Sequence, residues 1–116
     1  MEPFSLAEAR LTSGTSQYAA QQLNLEYLLS LPVLSLAYNF RNTSHLSLGD
    51  AVPFGGWETP YGPNGDDRGH FTGHYLSASA LAVVATDNKA LRANAEQLVV
   101  NLGECQDANA NIYRGT

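Results

Sequence analysis

The chain has 116 residues, enough for one domain with a modest core, and its 44% hydrophobic and 15% charged residues are typical of globular proteins. A net charge of −5, with only six scattered basic residues, argues against a nucleic-acid partner. No apolar run reaches the roughly 18–20 residues that span a bilayer, so no membrane partner is expected. The single cysteine, Cys105, excludes an internal disulfide and any zinc site built from several thiolates.

The first part of the chain predicts two helices. Phe4 to Leu11 alternates weakly, which fits a short strand or an extended lead-in. The segment Ser13-Gly14-Thr15-Ser16 supplies turn and N-cap chemistry, through its hydroxyl oxygens, for a helix from about Ser16 to Ser30. Pro32 stops this helix, and Val33 to Arg41 predicts a second, shorter one. The residues predicted to share the inward face of the first helix are Tyr18, Ala19, Gln22, Leu25, Glu26 and Leu29.

A long irregular segment follows, from His45 to Arg68. It has no hydrophobic period and is rich in proline and glycine. Loops of this length in compact domains are usually functional or disordered. Aromatic residues favour order here, since such side chains are normally packed or used in binding; they are Phe54, Trp57 and Tyr61.

Two long helices complete an all-α prediction. Asp66 or Asp67 is expected to cap a helix from about Gly69 to Ala85, whose apolar residues surround it and predict an interior position. A break at residues 86–88 leads to an amphipathic helix from about Lys89 to Asp107, folded back as an α-hairpin. Its inward residues are predicted to be Leu91, Ala95, Leu98, Leu102 and Cys105, with Lys89, Arg92, Glu96, Asn101 and Glu104 mostly outside.

His70 and His74 stand four residues apart, which places both imidazoles on one helix face. Two such histidines can chelate a metal ion, but no third ligand is evident, and the glutamate that metalloproteases carry after the first histidine is absent. Neutral rings near a helix start would instead offer one donor and one acceptor each to a hydroxylated ligand. A third interpretation is that both residues only tie the loop to the helix.

Trp57 and Glu58 form the second candidate pair. An indole presents a flat apolar face to the C–H side of a sugar, and an adjacent carboxylate accepts from hydroxyl groups. Alternatively, Trp57 fills the core while Glu58 pairs with Arg68 or with a loop amide. No second acid is identifiable for catalysis by a carboxylate pair. Cys105 lies on the inward stripe of its helix and is expected to be an inert buried thiol.

Five segments in order carry a family resemblance: Gln21 to Leu29, Phe40-Arg41, Gly55 to Glu58, Arg68 to Ala80, and Glu104 to Gln106. Together they resemble the N-terminal part of the β-L-arabinofuranosidase-like glycoside hydrolases of families 127 and 146, formerly the domain of unknown function DUF1680. The resemblance covers about Leu6 to Ile112. The sequence departs from the family pattern in three places, at Leu31 to Leu36, at Asn42 to Val52 and at Tyr113 to Thr116.

The resemblance implies a six-hairpin α/α toroid followed by β-sandwich domains. It implies a retaining mechanism whose nucleophile is a cysteine in a zinc site of three cysteines and a glutamate, with a second glutamate as acid/base. None of those positions can be assigned here, and Cys105 matches a helix cysteine, so no catalytic residue, metal ligand or cofactor is predicted in this chain. Two segments do match the rim and wall of the sugar pocket, Gly55 to Glu58 and Gly69 to Leu76. They identify Trp57, Glu58, His70 and His74 as substrate-binding candidates.

Residues 1–116 are therefore expected to be a partial domain, the first helical hairpins of such a toroid with a long Gly/Pro-rich loop. The expected function is the N-terminal segment of a glycosidase acting on non-reducing-end L-arabinofuranosyl or related sugars, inactive without the rest of its catalytic domain. The alternative is a small standalone helical domain that binds a polar ligand or a protein partner. The N-terminal residues show no signal peptide, and both a secreted and a cytoplasmic location stay open.

Overall fold

The computed structural model describes residues 2–63, 65 and 67–113, and for residues 111–113 it describes the backbone alone. This part of the chain is helical and contains no strand, as the all-α prediction requires. None of its helices is long and apolar enough to cross a membrane. The five α-helices are α1 (Ser16–Ser30), α2 (Val33–Leu36), α3 (Tyr38–Thr43), α4 (His70–Thr86) and α5 (Lys89–Tyr113), and two 3-10 helices lie at Leu6–Glu8 and Gly56–Glu58.

Helix α1 has the predicted bounds but a different buried face. The Thr15 hydroxyl accepts a 3.1 Å hydrogen bond from the amide of Tyr18, and this cap fixes the helix start. Leu25 and Leu28 are buried, whereas Ala19 and Glu26, which were predicted to face inward, are exposed. Burying the Glu26 carboxylate without a partner would destabilise the fold, and turning the helix to bury Leu28 avoids this.

The second predicted helix, Val33 to Arg41, is divided in two at Ala37. The hydroxyl of Thr72 in α4 donates a 2.7 Å hydrogen bond to the carbonyl oxygen of Leu36, at the end of α2. This tertiary contact gives the Leu36 carbonyl, which lies where the two helices separate, a hydrogen-bond partner. Ala37 itself is fully buried, so the division lies in the core.

Helices α4 and α5 form the predicted hairpin through Asp87 and Asn88, but α5 continues to Tyr113, beyond its predicted end near Asp107. The side chain of Asn88 caps α5 by accepting a 2.9 Å hydrogen bond from the amide of Leu91. The predicted inward residues of α5 are buried or half-buried. Asn101 was expected outside this stripe but is buried, because its side-chain oxygen accepts a 2.9 Å hydrogen bond from Arg41.

Helix α4 is buried on one side rather than on all sides. Its buried residues are Thr72, Tyr75, Ser79 and Val83. Of these, Tyr75 and Val83 belong to one hydrophobic core with residues of α1, α2 and α5. Leu81 and Val84 on the other side are exposed, Leu81 to 59%. The expectation of an interior helix is therefore wrong for this structure, in which α4 carries an uncovered apolar face.

The raised pKa values of two tyrosines, Tyr75 and Tyr38, predict that the free energy of unfolding decreases at alkaline pH. Burial raises the pKa of the Tyr75 hydroxyl above its ordinary value of 10.0, and the Ser79 hydroxyl partly opposes this rise. The neighbouring hydroxyl of Tyr61 raises the pKa of Tyr38, and burial raises it further. Because the folded state favours the protonated form, this stabilisation is complete below pH 10 and is lost as pH rises through the raised pKa values.

Thermal melts from pH 8 to 11 measure this effect, and the melting temperature is expected to fall above pH 10. Tyr75→Phe should make that fall smaller, because it removes a buried ionisable group. Tyr27→Phe is the matched control, since Tyr27 is an exposed tyrosine of α1 and its removal should leave the profile unchanged. Identical profiles for wild type and Tyr75→Phe would contradict the assignment to Tyr75.

Candidate functional site

The site begins at a tight turn formed by residues 55–59, called here the Trp57 turn. Gly55 is extended, Gly56 adopts a φ of 62°, and one turn of 3-10 helix follows. A positive φ favours glycine because it has no Cβ. The turn leaves the two neighbouring side chains in different environments: Trp57 is 61% exposed and Glu58 only 6%.

The buried carboxylate of Glu58 caps helix α4 from eleven residues away. Its two oxygens accept hydrogen bonds of 3.0 and 3.1 Å from the amide of Gly69, and one of them accepts a 2.9 Å bond from the amide of Phe71. These amides have no partner within the helix, and the N-terminal end of a helix favours a negative charge. The predicted cap at Asp67 is wrong, because Gly69 is the N-cap residue and α4 has no local side-chain cap; Asp66 lies outside the described residues.

Gly69 is required by its backbone and by its surroundings. Its φ of 92° lies in the left-handed region. A Cβ added there would lie 2.9 Å from Cζ of Phe40, closer than carbon atoms pack. A second contact holds the same region, since Nε of Arg68 donates a 2.8 Å hydrogen bond to the carbonyl oxygen of Thr59.

The two histidines lie on the first turns of α4, and both are exposed. Their ring centroids are 5.1 Å apart, with the planes tilted by 55°. The Glu58 carboxylate accepts hydrogen bonds from the amides of the residues on either side of His70. These bonds bring the Trp57 turn to the end of α4 that carries His70. Within the described residues, no group of three histidine, cysteine or acidic side chains could hold a metal ion.

Two cavities lie on different sides of this region. A small one of about 190 Å³ is lined by both Trp57 and Glu58, together with Tyr27, Leu31, Phe54, Gly55 and Phe71. A larger one of about 730 Å³ lies between α3 and α5 and is lined by Phe40, Gly69 and Cys105, but by none of the four predicted site residues. Cys105 is buried, as expected.

Asn39 was not identified from the sequence. Its side-chain amide donates a 2.6 Å hydrogen bond to the carbonyl oxygen of Glu58, and no local sequence pattern identifies that contact.

Comparison with known protein families supplies the remaining evidence. The family model for the β-L-arabinofuranosidase GH127 catalytic domain matches residues 9–115, a range that contains both site segments. No curated protein and no solved structure matches the chain. A match over most of the chain shows the family. The chain belongs to the GH127 β-L-arabinofuranosidase catalytic-domain family.

Proposed function

We propose that this chain forms part of the sugar-binding wall of a glycoside hydrolase acting on non-reducing-end L-arabinofuranosyl or related sugars. One observation carries the proposal beyond family membership. The Glu58 carboxylate joins the Trp57 turn to the first turn of α4, where His70 begins the helix. Glu58 therefore holds together two segments, one of which carries the exposed indole of Trp57 and the other the exposed imidazoles of His70 and His74.

The chemistry of these three side chains suits a carbohydrate. Sugar sites combine apolar walls with a few placed polar groups. The exposed face of Trp57 offers apolar area to the C–H side of a furanose ring, and its indole N–H remains a donor. His70 and His74 each offer a donor and an acceptor when neutral, which suits ring hydroxyl groups.

We propose further that the chain binds sugar without cleaving it. The family resemblance implies a nucleophilic cysteine held in a zinc site of three cysteines and a glutamate. This chain has one cysteine, and it is buried on α5, so the described residues do not fit that zinc site. Bond cleavage is assigned to the remainder of the catalytic domain, and purified chain should hydrolyse no aryl L-arabinofuranoside above background.

Trp57 is the chain's only tryptophan, which makes its fluorescence a specific reporter of the site. Titration with methyl β-L-arabinofuranoside is expected to change its emission in a saturable way. His74→Ala should raise the dissociation constant roughly ten- to a hundredfold, because a placed hydrogen-bonding group is lost from the site. The melting temperature should change little, since His74 is exposed.

Glu96→Gln is the control for this titration. Glu96 is exposed on α5, so its replacement should leave the dissociation constant unchanged. A wild-type chain whose emission shows no saturable response would contradict the proposal. So would a His74→Ala variant that melts much lower yet binds the sugar as tightly as the wild type, because His74 would then be scaffold.

A further inference from the structure

The geometry points to Glu58 as a positioning residue: its buried carboxylate sets the first turn of α4 and thereby the placement of His70 relative to Trp57, without contacting the sugar. The inference rests on the proposed function in taking His70 and Trp57 as sugar contacts. The sequence left two interpretations of Glu58 open, contact with a sugar hydroxyl and pairing with Arg68 or a loop amide; the carboxylate accepts from the backbone amides of Gly69 and Phe71.

The hydrogen bonds of Glu58 leave its carboxylate directed into the protein. Oε1 accepts from the amides of Gly69 and Phe71 at 3.1 and 2.9 Å, and Oε2 accepts from the amide of Gly69 at 3.0 Å. The side-chain amide of Asn39 lies 3.4 Å from Oε2 as a further donor. All these partners are N–H groups, which matches an ionised carboxylate because it only accepts.

The same residue fixes the Trp57 turn through its backbone. The carbonyl oxygen of Glu58 accepts the 2.6 Å hydrogen bond from Asn39 in α3. Side chain and backbone of one residue are thus held by α4 and α3 together. Because Trp57 precedes Glu58 directly and His70 lies between the two bonded amides, a shift of Glu58 displaces the indole and the imidazole relative to each other.

A neutral amide cannot replace this carboxylate. Glutamine has the same length but one carbonyl oxygen, so its NH₂ group would face one of the N–H groups that Glu58 now accepts from. Aspartate keeps the charge but is one carbon–carbon bond shorter, about 1.5 Å, and cannot reach both amides as well. Glu58→Gln is therefore expected to open the first turn of α4, and Glu58→Asp to open it less.

The test combines amide hydrogen exchange, followed by NMR, with the sugar titration through Trp57 fluorescence. In Glu58→Gln, the amides of Gly69 and Phe71 should exchange at least tenfold faster, while the amides of residues 76–83 in α4 keep their protection. Affinity for methyl β-L-arabinofuranoside should fall at least tenfold. Glu58→Asp should recover part of both properties, and Glu96→Gln, the same chemical change at an exposed site, should alter neither.

Three outcomes would overturn the inference. Unchanged exchange at Gly69 and Phe71 together with lost sugar binding would show that Glu58 contacts the sugar. Unchanged exchange and unchanged affinity would show that the carboxylate positions nothing. Loss of protection throughout α4 in both Glu58 variants would make Glu58 a residue of general stability. The hydrogen-exchange measurement needs no sugar. If the wild-type chain bound no sugar, the proposed function would be refuted, and hydrogen exchange alone would decide whether Glu58 sets the first turn of α4.

Discussion

Leu98→Ala is expected to lower the free energy of unfolding by about 2–5 kcal/mol, the range for truncating a buried leucine. Leu98 lies on α5 and is completely buried in the core formed with α1, α2 and α4. Its removal loses the transfer free energy of the side chain and leaves a cavity that the surrounding helices fill only in part. Because a small domain has a total stability of only about 5–15 kcal/mol, this one change removes a large part of it.

Chemical denaturation followed by circular dichroism measures this loss. The control is the next residue, Val99→Ala, because Val99 lies on the same helix but is 57% exposed. Replacement of an exposed residue should change stability by no more than about 0.5 kcal/mol. If Leu98→Ala and Val99→Ala lowered the free energy of unfolding equally, the assignment of Leu98 to the buried face of α5 would be wrong.

Gly69→Ala is the second change with a large expected effect. Alanine at a φ of 92° adds backbone strain of about 1–2 kcal/mol, and the new Cβ would lie 2.9 Å from Cζ of Phe40. Such overpacking destabilises by a further amount of about 1–3 kcal/mol. Because Gly69 also donates to Glu58, the variant should weaken sugar binding as well as lower the melting temperature.

Gly73→Ala provides a control of opposite sign. Gly73 lies one turn further along α4, is exposed, and has nothing within 4 Å of an added Cβ. Alanine in a helix interior is more stable than glycine by roughly 0.5–1 kcal/mol, so this variant should melt at a higher temperature. If Gly69→Ala melted at or above the wild-type temperature, the left-handed backbone and the close contact with Phe40 would both be refuted.

The helix boundaries were predictable where the chain carries local signals. Thr15 caps α1 and Pro32 follows its end, and Asn88 caps α5, so these helices begin where the sequence indicates. The face that each helix buries depends on its neighbours. Glu26 was predicted to face inward but is exposed. Asn101 was predicted mostly outside but is buried, because it pairs with Arg41, which is 60 residues away in the chain.

The arrangement of the candidate site residues was only partly predictable from the sequence. Adjacent Trp57 and Glu58 indicate an apolar surface beside a carboxylate. The sequence does not show that the turn exposes Trp57 and buries Glu58. The cap on α4 joins residues eleven positions apart, beyond the reach of any capping pattern read from neighbouring residues. Family membership of the chain, in contrast, was recognisable from the ordered segments and is confirmed.

Sugar binding to residues of the Trp57 turn and of α4 can be mapped directly by ¹H–¹⁵N NMR. Methyl β-L-arabinofuranoside is titrated into labelled protein, and the amides whose shifts change are assigned. If these residues form the sugar site, saturable changes are expected at residues 55–58 and 69–76, together with the indole N–H of Trp57. Changes confined to the cavity between α3 and α5, around Cys105 and Asn109, or no saturable change at all, would contradict the proposed site.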